Sequence, residues 1–153
     1  MARGDLTVFD KAAEFVGESI NLETDTFKAA IIDNVVTPAQ NTANPTWDAT
    51  SSQDYDGNEV STAGGYPLGG LTISGPQLTL SGAVATWDDD GSDLSLAQNG
   101  SGFTNGYWAI IYSDTAPNKP AVCFIDLGGP VSEQEGPINI NFGASGVITI
   151  TRS

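Results

Sequence analysis

Histidine is absent from the 153 residues, and cations are scarce: five Lys and Arg stand against nineteen Asp and Glu. Without imidazole, the Ser-His-Asp and Cys-His arrangements of nucleophilic catalysis cannot be built. Zinc sites draw on clusters of Cys and His, and the chain has one cysteine. A formal net charge of −14 repels phosphate backbones, so neither nucleic acid nor an anionic membrane surface is an expected partner. Cys123 lies in the apolar run "AVCFIDL"; with no second cysteine to pair with, it reads as a small buried hydrophobe. No stretch of about 18 apolar residues exists to span a bilayer, and "MARGDLTVFDKAAEF" lacks the apolar core of a signal peptide.

What is abundant is punctuation. Eighteen Gly and eight Pro favour turns over long helices. The length suits one domain over residues 1–153, which at this size buries roughly 68–70% of its unfolded surface. Three Trp, four Tyr and six Phe can anchor a small β-rich core. One helix is expected, over about residues 5–17. Asp5 is its candidate N-cap, Leu6, Phe9, Ala13 and Val16 form one stripe beside Ala12 and Phe15, and Gly17 is a stop. Asp10, Glu14 and Glu18 repeat at i, i+4, so packing of the Phe9 and Phe15 face must hold it.

The remainder, 26–153, reads as about nine short strands, from "TFKAAIID" (Thr26–Asp33) to "GVITITRS" (Gly146–Ser153). Turn signals "DDDG", "NGSG", "APNKP", "GGP" and "GASG" separate them. "LTISGPQLTLSG" reads as two arms of one hairpin. The loop Val36–Asp54 is long enough to be functional or mobile. The expected class is mainly β, a single sandwich or jelly-roll-like domain with a short N-terminal helix.

Four constellations invite a chemical reading. "STAGGYPLGGLTI" (Ser61–Ile73) holds two glycine pairs, but a strand follows it, not a helix, and no Lys is near in sequence. A phosphate loop needs a helix N-terminus or a nest with a Lys, so a strand bend that turns Tyr66 and Leu68 outward is expected. "WDDDGSD" (Trp87–Asp93) offers Asp88, Asp90 and Asp93 to calcium, yet lacks the closing Glu and the flanking helices, so a solvated hairpin loop is expected. Paired carboxylates about 5–10 Å apart serve glycosidases, but among nineteen acids such pairs arise by chance. Trp47, Tyr55, Tyr66 and Trp108 could form a sugar platform, although "YWAIIY" divides its aromatics between two strand faces. Trp47 and Tyr66 are the candidate partner-contact residues. No catalytic, cofactor-binding or metal residue is assigned.

The order of segments carries a resemblance. A short N-terminal helix leads to "LETDTFKAAIID", then "TP…PTW", "STAGGYPLGGLTI", "YWAIIYSDT", "CFIDLGGPVSEQEGPINI" and "GVITIT". Over nearly its whole length the chain resembles small β-rich virion proteins of tailed bacteriophages, of the capsid decoration or cement type. That resemblance implies a non-enzymatic structural protein on the capsid exterior, made in the host cytoplasm. It also implies binding to the major capsid protein, with self-association as a trimer expected from lattice symmetry alone. The alternatives are a tail or adsorption-apparatus component and a carbohydrate-binding module.

Overall fold

The computed structural model describes residues 2–48, 54–91, 93–142 and 146–151. It is mainly β, 38% strand against 7% helix, with one short helix near the N-terminus. The strands are β1 (Leu6–Val8), β2 (Phe27–Ile32), β3 (Leu71–Thr72), β4 (Gln77–Ser81), β5 (Val84–Asp88), β6 (Leu94–Leu96), β7 (Gly106–Ser113), β8 (Ala121–Val131), β9 (Ile138–Ile140) and β10 (Ile148–Thr151); the helix α1 is Ala12–Glu18. They form a five-stranded sheet in the order β1-β8-β7-β2-β3, a three-stranded sheet β10-β5-β4 and a two-stranded sheet β6-β9.

The central sheet is covered on both faces, which is why β2, β7 and β8 read as apolar runs and not as alternating strands. Phe27, Ala29, Ile31, Ala109, Ile111 and Ile125 point to one side, where they meet Trp87 and Ile148 of the three-stranded sheet and Leu94, Leu96, Ile138 and Ile140 of the two-stranded one. Ala30, Ile32, Ile110, Tyr112 and Phe124 point to the other, where Phe9, Trp47 and Tyr55 cover them from loops. A register shift between Ile111 and Tyr112 lets Val122 join Cys123 on the first side.

Several local expectations are corrected. Leu6–Val8 is a strand paired with Cys123–Ile125, and the helix begins only at Ala12, with Lys11 at its cap. The period-2 pattern Leu6-Thr7-Val8, rich in β-formers, completes the sheet beside β8, which a helix from Asp5 could not. Asp5 instead accepts a hydrogen bond from the Ala2 N–H at 2.6 Å. Gly17 lies inside α1 and does not stop it. Phe9 and Phe15 do not share a face: Phe9 packs in the second core, and Phe15 is half-buried against the first.

"LTISGPQLTLSG" is not one hairpin, since β3 pairs with β2 and β4 with β5. The "DDDG" segment joins strands of different sheets, so it is a crossover and not a hairpin loop. The "GGP" signal (Gly128-Gly129-Pro130) falls within β8. The "GASG" turn lies mostly outside the described residues.

Candidate functional site

The most organised polar region is built by the two glycine pairs. The segment Ser61–Gly70 runs from Val60, whose N–H donates to the Ile31 carbonyl, into β3. Its backbone donors do find anions, and both belong to the chain itself. The Gly65 N–H donates to Glu133 Oε1 at 2.8 Å, and the Gly69 N–H donates to Glu59 Oε1 at 2.7 Å. The Tyr66 hydroxyl donates to Glu59 Oε1 at 3.0 Å and accepts the Ile31 N–H at 2.8 Å. From the far side, the Tyr112 hydroxyl donates to the Gly69 carbonyl at 2.7 Å.

Glycine is required here by contact as well as by dihedral. Gly70 has φ +91°, and a Cβ on it would collide with the Ala29 carbonyl oxygen. A Cβ on Gly102 would collide with the Glu133 carboxylate, which is completely buried. The glycine loop therefore clasps internal carboxylates, and its donors are not offered to a phosphate.

Tyr66 is 2% exposed and stands edge-on to Phe103 at 5.5 Å between ring centres. The expectation that it faces outward is thus corrected: a phenol bonded to the buried Ile31 N–H and to the half-buried Glu59 is held inside. Leu68 at the tip of the same bend is 77% exposed, as expected. Trp47 is also inside, 3% exposed and stacked on Tyr112 at 4.9 Å and 11°. Its backbone N–H donates to the Lys119 carbonyl at 2.8 Å, so the described part of the long loop is docked as a layer on the central sheet. Trp47 and Tyr66 are organising residues, and neither is available for partner contact. With Tyr55 buried as well, three of the four aromatics of the supposed sugar platform cannot stack on a ligand.

Below the loop lies a cavity of about 330 Å³, lined among others by Lys28, Glu59, Tyr112, Asp114 and Lys119. Two of the chain's few cations are committed there. Lys28 Nζ and Lys119 Nζ each sit 3.1 Å from Asp114, and Lys119 reaches Asp48 at 3.6 Å. Burial alone would raise the Asp114 carboxyl, but hydrogen bonds and charge from Lys119 and Lys28 outweigh it and hold the group below its usual value. Burial would lower Lys119, and its bond to Asp114 instead raises it. For Glu59 the balance is reversed: burial pushes the carboxyl up, against the hydrogen bonds from Tyr66 and Gly69. An ion network of this kind ties β2, the long loop and the β7–β8 turn together. Both amines are engaged by Asp114 in ion pairs. Burial also raises the Cys123 thiol, so that side chain is inert packing.

In "DDDGSD", Asp88 Oδ1 accepts the Asp89 N–H at 3.0 Å and Asp89 Oδ1 accepts the Gly91 N–H at 3.2 Å. Among the described residues, no group of three or more acids, His or Cys is placed to hold a metal.

Glu59 and Glu133 escaped the sequence reading. Each sits in a turn-like context, "GNEVST" and "VSEQEG", where an acid ordinarily faces water. The available signal was the glycine loop itself: unpaired N–H donors without a nearby Lys need an acceptor from within the chain. No family model, curated protein or solved structure matches this chain.

Proposed function

We propose that the chain is a non-enzymatic structural protein of a tailed-phage virion, and that it decorates the capsid exterior by binding the major capsid protein. The observation that carries this reading is the placement of apolar surface. Both faces of the central sheet are already covered within the domain, yet Val35 is 76% exposed and Leu68 77%, both on loops. The glycine loop, whose backbone donors could cradle a ligand, is filled by Glu59 and Glu133. Such a molecule offers surface contacts to a partner. The resemblance in segment order supports the phage assignment. A strongly acidic outer protein also avoids capturing nucleic acid.

Repetition of the lattice adds avidity, so modest single contacts suffice. Binding only to the assembled shell raises its disruption temperature by mass action. The test is co-sedimentation with capsids that lack the protein, followed by heating. Co-sedimentation with a raised disruption temperature is expected, weakened by Leu68→Asp or Val35→Asp without loss of fold. No co-sedimentation and no thermal shift would overturn the capsid reading and leave the tail component as the leading one.

A further inference from the structure

The three-stranded sheet ends at β4, whose outer edge has no pairing strand among the described residues. Across it, Leu78, Trp87 and Ile148 are in register, and so are Leu80, Ala85 and Ile150. Both rows lie on one face, because strand side chains alternate with period two. The first row is anchored in the core through buried Trp87 and Ile148. The second continues the apolar face outward, with Leu80 74% exposed and Ile150 exposed beside it.

The outer strand β4 is exposed along its whole length and, among the described residues, pairs only with β5. Proteins blunt such edges with charge, proline, bulges or brevity. Residues Gln77–Ser81 contain neither charge nor proline, and their ladder to β5 runs without a shift. By contrast β1 and β3, which end the central sheet, have three and two residues.

The direction of the free backbone groups follows from the turn. Gly82 has φ +62° at the first central position of the two-residue link Gly82-Ala83, as a type II′ turn requires. The residues flanking such a turn, Ser81 and Val84, exchange hydrogen bonds, and exchange alternates along an antiparallel ladder. Thr79 therefore bonds inward to Thr86, and the N–H and C=O groups of Leu78 and Leu80 face the open edge.

We propose that two copies pair β4 to β4 antiparallel about a two-fold axis at Thr79. The sequence Gln77-Leu78-Thr79-Leu80-Ser81 is symmetric in pattern about that residue. Pairing sets Leu78 opposite the partner's Leu80, both with outward-facing amide and carbonyl, and keeps all four leucines on one face. Charge selects the same surface: in a chain of net charge −14, the run Pro76–Trp87 contains no ionised side chain, so copies meet here without opposing like charges. The contact is two-fold and not three-fold, because antiparallel pairing uses the edge of both copies. It is small beside a standard interface of about 1,600 Å², so the dimer is reversible and concentration-dependent.

The test uses the purified chain alone, and its result is independent of capsid binding. Sedimentation velocity across a concentration series should show monomer and dimer in exchange. Leu80→Lys, at an exposed site, should weaken the dimer by roughly tenfold or more, through the lost leucine pairs and the gained charge. Thr79→Cys should form a disulfide-linked dimer under mild oxidation, since residues opposed in a non-hydrogen-bonded pair lie within disulfide range. Ser81→Cys should not, because its mate is the partner's Gln77; buried Cys123 does not compete. A strictly monomeric chain, a trimer, a dimer indifferent to Leu80→Lys, or equal crosslinking of the two cysteine variants would each overturn the proposal.

Discussion

The strands β7 and β4 are both short runs of apolar and β-forming residues, "GYWAIIYS" and "QLTLS", and their fates are opposite. From Ala109 to Ser113, β7 is wholly buried between two layers, while every residue of β4 is exposed. The difference lies in what each face meets. β7 is flanked by β2 and β8, with loop aromatics over one face and the smaller sheets over the other. β4 hangs at the outside of a sheet whose own core contact ends at Trp87 and Ile148. Local pattern sets the strand in both cases; coverage by distant residues decides whether its apolar face is finished within the domain.

The comparison is broken most severely by emptying the second core. Phe9 is nearly inaccessible and lies 5.0 Å from Phe124 and 6.1 Å from Tyr55 between ring centres. Phe9→Ala should cost about 3–5 kcal/mol, measured by urea unfolding of dilute protein. The loss belongs to the folding of each chain and should not depend on protein concentration. A loss below about 1 kcal/mol would mean that the loop layer covers the sheet without supporting it.

Much of this fold is legible in the sequence, and the illegible part has a physical pattern. The strands β2, β7 and β8 stand where their apolar runs place them, because burial on both faces leaves an unmistakable run, and β9 shows through the alternation of Ile138, Asn139 and Ile140. Leu6–Val8 misleads because Leu6, Phe9, Ala13 and Val16 satisfy a helical period, while the pairing to Cys123–Ile125 that makes it a strand is more than a hundred residues away in sequence. The hairpin assignment around Gly75-Pro76 fails for the same reason: β3 prefers the distant β2 to its neighbour β4. Trp47 and Tyr66, expected to contact a partner, both lie inside the domain. Whether an aromatic in a glycine- or proline-rich loop faces a partner or its own domain depends on Tyr112, Phe103 and Glu59, which no local window contains.

A smaller break acts on the glycine loop. Tyr66→Phe keeps the ring against Phe103 but removes the hydroxyl that accepts the buried Ile31 N–H and donates to Glu59. One unsatisfied buried donor and one lost bond to a carboxylate should cost about 1–3 kcal/mol. Faster hydrogen exchange at the Ile31 amide should accompany the loss. Unchanged exchange there would show that the loop does not depend on the phenol.

The cavity beneath the loop allows a sharper test, since two of the carboxylates that line it respond to pH in opposite senses. Asp114 is held below its ordinary value of 3.8, so its contribution is present above that pH and disappears as pH falls through the folded value. Asp114→Asn should therefore destabilise by about 1–2 kcal/mol at pH 7, with the gap to wild type closing below roughly pH 4. Glu59 is raised above its ordinary 4.5, so its contribution is present below that pH and is lost as pH rises through the folded value. Glu59→Gln should remove that part of the pH dependence, and the two variants should bend the stability profile in opposite directions. Parallel profiles would show that the two acids do not experience the environments that their neighbours define.

The smallest effect is the most telling for β4 itself. Leu80→Thr replaces an exposed leucine by a β-former on the face that continues the core row. If the domain does not need that leucine, dilute monomer should change by less than about 0.5 kcal/mol, the ordinary range for surface substitutions. At high concentration the same variant should be the weaker self-associator, because the leucine acts only between copies. The two measurements separate cleanly: Phe9→Ala moves stability at every concentration, whereas Leu80→Thr moves only the concentration-dependent part. A drop of 1 kcal/mol or more in dilute Leu80→Thr would mean that this chain already covers Leu80. The contrast between β7 and β4 would then fail, and the edge-to-edge pairing would lose the free apolar face on which it depends.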